Sequence, residues 1–350
     1  MLAEETIIRL PRFSETASLD RIKSALCYAD LETTPFPWVH VAGSKGKGSV
    51  STMVASILKA AGYKTGLFTS PHVHDIKERI TIDNRPIDSA LFNHLYESTQ
   101  KMFPPELFTK FTFFETMTLL AVLAFQKANI DIAVFETGLG GRLDPTTAIS
   151  DPTLSIITYI ELEHTAKLGN TLEAIAQEKA GIIRSHTPVL MAKQELEAAL
   201  VIQERTSLKG VKLYSLDQLS YVQRTIDFTQ ETERFTLNSG ITGNIYPDII
   251  MKPLGAPQVN NASVAITASE LLTKEGFIIT ENDFRQALLN LTIPCRFEMI
   301  THESNTWILD GAHTFHSCSF LASTMKERYP NQKIPVIFGC KHNKNARLLL

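Results

Sequence analysis

Short apolar runs alternate along this chain with stretches in which apolar residues recur every three or four positions. Residues 39–42 form the first run, and a glycine-rich segment follows at once. Beyond it Val50, Met53, Val54, Ile57, Leu58 and Ala61 share one helical face, and Gly62 supplies a C-terminal cap. Residues 65–69 read as the next strand. A β-α-β unit of this size predicts parallel strands joined by a right-handed crossover. The rhythm continues with a helix over 113–126, buried strands over 130–135 and 153–160, and a helix over 171–183. A strand over 188–191 and a helix over 195–204 follow.

From 211 to 250 the pattern changes. β-Branched and polar residues alternate between turn signals at Ser239-Gly240 and Gly243-Asn244, which predicts a small antiparallel annex to the main sheet. Helices return over 261–272 and 281–291. Pro294, in Ile293-Pro294-Cys295, ends the last of them and marks a linker. After it come a strand over 307–309, a helix over 315–327 and a strand over 334–338, then a loop and the first turn of a helix. The chain therefore divides into residues 1–294 and a partial second α/β domain, 295–350, a stretch short for an α/β unit standing alone.

Composition narrows the function. A length of 350 residues fits two domains, and 44% hydrophobic with 20% charged residues is ordinary for a soluble globular protein. A net charge of -3 without any basic run argues against nucleic-acid binding. The acidic start lacks the apolar core of a secretory signal, and the longest apolar stretch, 117–125, is too short to span a bilayer. Cys27, Cys295, Cys318 and Cys340 are scattered, with neither a C-x-x-C pair nor zinc-like spacing. These features point to a cytoplasmic protein with no membrane and no nucleic-acid partner.

The strongest chemical signal is Gly43-Ser44-Lys45-Gly46-Lys47-Gly48-Ser49 between the first strand and its helix. Glycines there allow the tight turn that aims backbone N–H groups at phosphate oxygens. Lys47 is placed to neutralise β/γ-phosphate charge, and the helix N-terminus adds its dipole. The segment is a variant of the common phosphate loop: Val41 stands at the first glycine, and Ser49 comes one place late. Such a loop needs a carboxylate on a neighbouring strand to hold Mg²⁺. Glu136 ends the apolar run 130–135 and supplies one at the C-terminal edge, where open-sheet sites lie. The glycine-rich residues 137–144 follow it, with Arg142 and Asp144 as candidate polar contacts. Phe111, Phe113 and Phe114 read as core rather than as a stacking surface, and no site is assigned to His74.

In order and spacing these segments resemble one family. AGSKGKGS, TSPH followed by ERI, FFE, ETGLGGRLD, EHTAKLGNTLEAIAQEKAGII and LDGAH together resemble the folylpolyglutamate synthase/dihydrofolate synthase family of the Mur ligase superfamily. The resemblance implies a P-loop NTPase-like α/β domain with a mostly parallel sheet, followed by a Rossmann-like domain. It implies a ligase that uses ATP and Mg²⁺ to join L-glutamate to a folate or to dihydropteroate through an acyl phosphate. Residues 43–49, with Asn261, Arg296, Asp310 and His313, would then bind ATP. Ser49, Ser70, Glu136 and His164 would surround metal, and Lys179 matches a lysine that is carbamylated in the family. Lys47, Glu136, His164 and Lys179 form the implied catalytic set, while His72, Arg79, Arg142 and Asp144 would meet the substrate. A monomer is implied.

The chain also departs from the family pattern. Glu163 stands at an aspartate, Thr147 and Thr314 at asparagines, Pro257 at a histidine and Cys295 at a glycine. The family's C-terminal domain is complete, which implies that roughly 70 to 80 of its residues lie beyond Leu350. Two other readings follow: an ATP-binding relative with weak catalysis, and a cell-wall Mur ligase. The SPH and EKAG segments speak against the second.

Overall fold

Eight strands build the main sheet: β1 (Trp38–Ala42), β2 (Thr65–Phe68), β3 (Ile80–Ile82), β4 (Arg85–Pro86), β5 (Ile132–Glu136), β6 (Leu154–Ile157), β7 (Val189–Met191) and β8 (Leu213–Ser215). The computed structural model describes residues 3–14, 18–216, 221–303 and 305–340. The strand order is β4-β3-β2-β5-β1-β6-β7-β8. From β2 to β8 every pairing is parallel, while β3 and β4 add an antiparallel edge. β1 and β5 are buried at every position, so they read as continuous apolar runs rather than alternating ones.

Helices cover both faces of the sheet. The α-helices among the described residues are α1 (Ala3–Ile8), α2 (Asp20–Tyr28), α3 (Lys47–Ala60), α4 (Ser89–Met102), α5 (Pro105–Phe108), α6 (Phe113–Ala128), α7 (Thr165–Leu168), α8 (Leu172–Lys179), α9 (Leu196–Lys209), α10 (Ala256–Lys274), α11 (Glu281–Asn290) and α12 (Phe315–Arg328). α3 lies between the sheet and α10 with α11, and Val50, Met53, Ile57 and Leu58 are fully buried there. Each such side chain contributes roughly 1.5–3 kcal/mol of transfer free energy. α6 begins at a capping box, in which Thr112 and Glu115 each bond the other's backbone.

The expected helices and strands from residue 38 to residue 291 are present, with their ends moved by a few residues. α1, α2 and α4 carry no expectation from the pattern. They are held by packing, with Ile7, Ile22, Leu26 and Phe92 buried against α6. The annex differs from expectation. β8 joins the main sheet beside β7, whereas β9 (Tyr221–Asp227), β10 (Thr232–Asn238) and β11 (Ile245–Met251) form a separate antiparallel sheet. Phe235, Leu237, Ile249 and Met251 bury against the α10 and α11 layer, so this sheet gains its apolar cover from helices and not by extending the main sheet.

After Asn290 the backbone is irregular up to β12 (Glu298–His302), which pairs with β13 (Asn305–Leu309) in a hairpin before α12. The strand expected over 334–338 is not formed. Those residues adopt no regular structure, and Val336 and Ile337 are exposed. An apolar run becomes a strand only where a neighbouring strand accepts its backbone bonds, and among the described residues none does. The helix turn expected near the end lies outside the described residues.

Candidate functional site

β1 ends at Ala42, and the chain turns through Gly43-Ser44-Lys45-Gly46 into α3. The amides of Ser44 and Lys45 both donate to Tyr159 O, at 2.9 and 3.0 Å. This fastens the loop to the segment after β6. Gly46 has φ 87°, and a Cβ there would lie 2.3 Å from Asn261 Oδ1. Only glycine therefore lets α10 pack so closely on the loop. α3 has no side-chain cap, and the first amides of a helix have no intrahelical partner. That uncapped N-terminus opens into a cavity of about 470 Å³.

The cavity gathers residues far apart in sequence. Lys45, Gly46, Gly48 and Ser49 line one side, with Asn261 on α10. Arg296, Asp310 and His313 line the cavity as well. Asp310 accepts from the amides of Phe297 and Ala312, both within 2.8 Å, so it braces the turn before α12. His313 Nδ1 lies 2.7 Å from Gly311 O. Every residue expected at the nucleotide except Gly43, Ser44 and Lys47 thus lines this one cavity, and those three belong to the same loop.

Glu136 ends β5 under the loop. It is 3% exposed, and burial raises its carboxyl to about 7, against the pull of Lys47, the Ser70 amide, Arg296 and Arg79. Its Oε2 accepts the Ser70 amide at 2.8 Å, and both oxygens lie within 3.7 Å of the place a Gly48 Cβ would take. A carboxylate facing the loop that carries Ser49, beside Ser70, is an all-oxygen donor set that suits Mg²⁺, which commonly takes one or two protein carboxylates and leaves its remaining positions to water and phosphate. Among the described residues no cluster of three or more His, Cys, Asp or Glu could hold a metal by itself. His164 is exposed at the start of α7 with φ 49°.

Lys179 reaches the same loop from the end of α8. It is 1% exposed, and its Nζ donates to Gly43 O at 2.6 Å and to Glu163 Oε1 at 3.2 Å. Lys47 Nζ shares Gly43 O at 2.9 Å. Burial pushes Lys179 down to about 8, Lys47 adds to this, and Glu163 opposes it. Burial also disfavours ionised Glu163, yet Lys47, Lys179 and Lys45 hold its carboxyl below the ordinary range. The approach depends on Gly181, where a Cβ would lie 2.3 Å from Arg142 Cα and 2.6 Å from Arg142 N. The 137–144 and 178–182 segments therefore interlock backbone to backbone.

The residues expected at the substrate divide into two groups. Arg79 donates to His72 Nδ1 at 2.9 Å and lies 4.9 Å from the Phe113 ring centre. Burial lowers Arg79 to about 10, with Glu136 opposing and Arg12 reinforcing. His72 is lowered by burial and by Arg79. Phe111 is core, whereas Phe113 is half-buried under Arg79, and Phe114 packs on Phe68 and Gly138. Arg142 is exposed and forms a fork on Glu178 Oε1 at 3.0 and 2.8 Å. Asp144 corrects an expectation. Its Oδ2 accepts the Gly138 and Leu139 amides and its Oδ1 accepts the Thr146 amide and hydroxyl. Buried and fully engaged by its own loop, it staples that loop rather than facing a ligand. Thr146 in turn lies 2.8 Å from His40 Nε2, and burial and then Arg184 lower His40 to about 3.

Glu161 and His316 also line the cavity, and the sequence reading missed both. Glu161 follows β6 as Glu136 ends β5, so the rule of carboxylates at parallel-strand ends applied equally to it. His316 carries no sequence signal.

The Mur ligase middle domain model matches residues 41–269. Over 343 residues the chain is 34% identical to the dihydrofolate synthase/folylpolyglutamate synthase of Bacillus subtilis, covering 95% of this chain and 77% of that protein. The Escherichia coli protein of the same name is 32% identical over 314 residues, covering 89% and 69%. The apo form of L. casei FPGS superposes with a TM-score of 0.86 at 29% identity, over 93% of this chain and 79% of that one. An FPGS–AMPPCP–folate complex gives 0.87 at 29%, over 94% and 80%.

Proposed function

The chain belongs to the folylpolyglutamate synthase/dihydrofolate synthase family of Mur-type ligases, and on that premise we propose that it joins L-glutamate to a folate or to dihydropteroate. ATP-dependent ligation is the family's chemistry. The observation that carries the reading is the uncapped N-terminus of α3 opening into the cavity that Asn261, Arg296, Asp310 and His313 also line.

Lys47 and the α3 amides hold the terminal phosphates and offset charge as the γ-phosphoryl group moves to the substrate carboxylate. Glu136, Ser49 and Ser70 would hold Mg²⁺, with His164 at a second position. The metal supplies charge neutralisation on the phosphoryl oxygens. His72, Arg79 and Arg142 orient the folate carboxylate, and Asp310 and His313 close the second domain, 295–350, over nucleotide and glutamate. The neutral glutamate amine then attacks the acyl phosphate carbon, loses one N–H proton to solvent, and the tetrahedral intermediate collapses as phosphate leaves with the electron pair of the broken C–O bond. Lys179 positions the glycine loop, and a carbamate on it would turn that cation into a carboxylate. We take the working form as a cytoplasmic monomer. No helix among the described residues is long and apolar enough to cross a membrane.

A phosphate-release assay with ATP and Mg²⁺ tests the reading, with dihydropteroate, tetrahydrofolate and glutamate added in turn. Release that needs both glutamate and a pterin substrate is the expected result. Nucleotide binding without release would leave an ATP-binding relative instead. Lys47→Ala is expected to weaken nucleotide binding at least about a hundredfold, and unchanged affinity would remove the phosphate-loop assignment.

A further inference from the structure

One face of α12 roofs the nucleotide cavity through His316, Ser317, Phe320, Leu321 and Thr324. Ion pairs tie this helix to the rest of the fold near both ends. Near its C-terminal end Glu327 lies 3.3 Å from Arg224. Arg224 also pairs with buried Glu233, which accepts the Gly255 amide at 2.5 Å. Arg328 adds a 3.1 Å bond to Phe228 O and lies over the Phe228 ring. Near the N-terminal end His316 Nδ1 lies 3.2 Å from Glu161 Oε2. An ionised carboxylate only accepts, so in that bond Nδ1 carries the proton.

The two ties differ in what else they hold. The first is anchored on buried Glu233, whose other partner is the Gly255 amide. The second shares its carboxylate, because Glu161 Oε1 is 3.2 Å from Lys45 Nζ. Lys45 belongs to the glycine loop and lines the same cavity. Glu163 is the other carboxylate near Lys45, at 3.9 Å, but it is bonded to Lys179. The backbone around Glu161 is fixed: Ser44 Oγ donates to Glu161 O at 3.0 Å, and the Ile160 amide donates to Gln194. One carboxylate on a fixed backbone thus divides itself between a lysine on the phosphate path and the histidine that seats the roof.

We propose that Glu161 is a positioning residue that couples phosphate occupancy of the glycine loop to the seating of α12. The inference rests on the nucleotide reading given above. Phosphates carry more negative charge than a single carboxylate and draw Lys45 toward them. Glu161 then gives up one of its two partners, and its full charge and accepting capacity turn to His316. The Glu327 end stays tied, so the N-terminal end of α12 closes on the cavity as a latch. The same coupling run backwards makes a seated α12 favour bound nucleotide.

Hydrogen exchange of α12 measured beside calorimetry, with AMPPCP and Mg²⁺ as the probe, tests the coupling. In the unaltered chain the analogue is expected to slow exchange over residues 315–321 by roughly fivefold or more. Glu161→Gln and His316→Gln should each still bind the analogue through Lys47 yet lose that protection, and the double variant should lose no more. Lys45→Gln, which leaves Glu161 to His316, should protect the same residues without nucleotide. Equal protection in Glu161→Gln and in His316→Gln, or no protection in nucleotide-free Lys45→Gln, overturns the latch while leaving the nucleotide site intact. Absence of binding heat in the unaltered chain overturns the nucleotide reading and the latch with it.

Discussion

Lys179 and Lys47 converge on one acceptor, the carbonyl oxygen of Gly43, at 2.6 and 2.9 Å. Two ammonium groups on a single carbonyl form a concentrated positive site, and Glu163 and Glu136 stand beside it as counter-charges. The arrangement would suit the polyanion proposed for this loop, because its cations are already in place.

The depressed ionisation of Lys179 has a signature in stability. Its folded value is about 8 against an ordinary 10.5, with burial the main cause. Between those values the unfolded chain holds a proton that the folded chain lacks, so this group makes stability rise with pH from 8 to 10.5. Below 8 its penalty is complete, on the order of 3 kcal/mol. Urea titrations of the unaltered chain and Lys179→Met should show the difference between them shifting toward the unaltered chain across that window. A flat difference would contradict the buried ammonium.

Glu136 makes a contribution of opposite slope. Its folded value is about 7 against 4.5, again chiefly from burial. The folded chain keeps a proton that the unfolded chain has lost, so stability falls as pH rises from 4.5 to 7. Without divalent ions at pH 8, Glu136→Gln should be more stable than the unaltered chain by an amount on the order of 3 kcal/mol, and close to equal at pH 4. Ligase turnover should be lost at either pH. Thermal melts at the two pH values decide this, and equal melting at pH 8 would rule out an ionised, buried Glu136.

Asp144 and Arg142, neighbours in one motif, should separate on substitution. Asp144→Ala leaves the Gly138 and Leu139 amides without their acceptor and should cost roughly 2–4 kcal/mol. Arg142 is exposed and paired with Glu178 at the surface, so Arg142→Ala should change stability by less than about 1 kcal/mol while raising the KM for the pterin substrate. Denaturation curves for both variants, with KM for the second, give the answer. A stable Asp144→Ala would return that carboxylate to ligand binding.

Legibility followed the range of the interaction. β1, the glycine loop and α3 were readable because strand, turn and helix are written consecutively in residues 38–60. Glu136 was readable for a similar reason, as the end of an apolar strand. α1, α2 and α4 were not, since they are held by contacts with α6 from elsewhere in the chain. The independent β9-β10-β11 sheet was half legible: alternation showed antiparallel strands, but α10 and α11 decided where their apolar face would go. Asp144 shows the limit most plainly. An acidic residue in a glycine-rich loop carries the same letter whether it faces ligand or turns inward to four donors.

The sequence by itself determined the groups at hand: a glycine-rich turn between strand and helix, a strand-end carboxylate, two lysines and the family to which their spacing belongs. These depend on residue type and short-range order, which a chain carries before it folds. Tertiary structure alone decided the ionisation of Glu136 and Lys179, because burial and neighbouring charge arise only on packing. It also decided that Asn261, Arg296 and Asp310 line one cavity with the glycine loop, and that Glu161 joins Lys45 to His316. Such distances are set by how sheet and helices stack, and no local pattern encodes them.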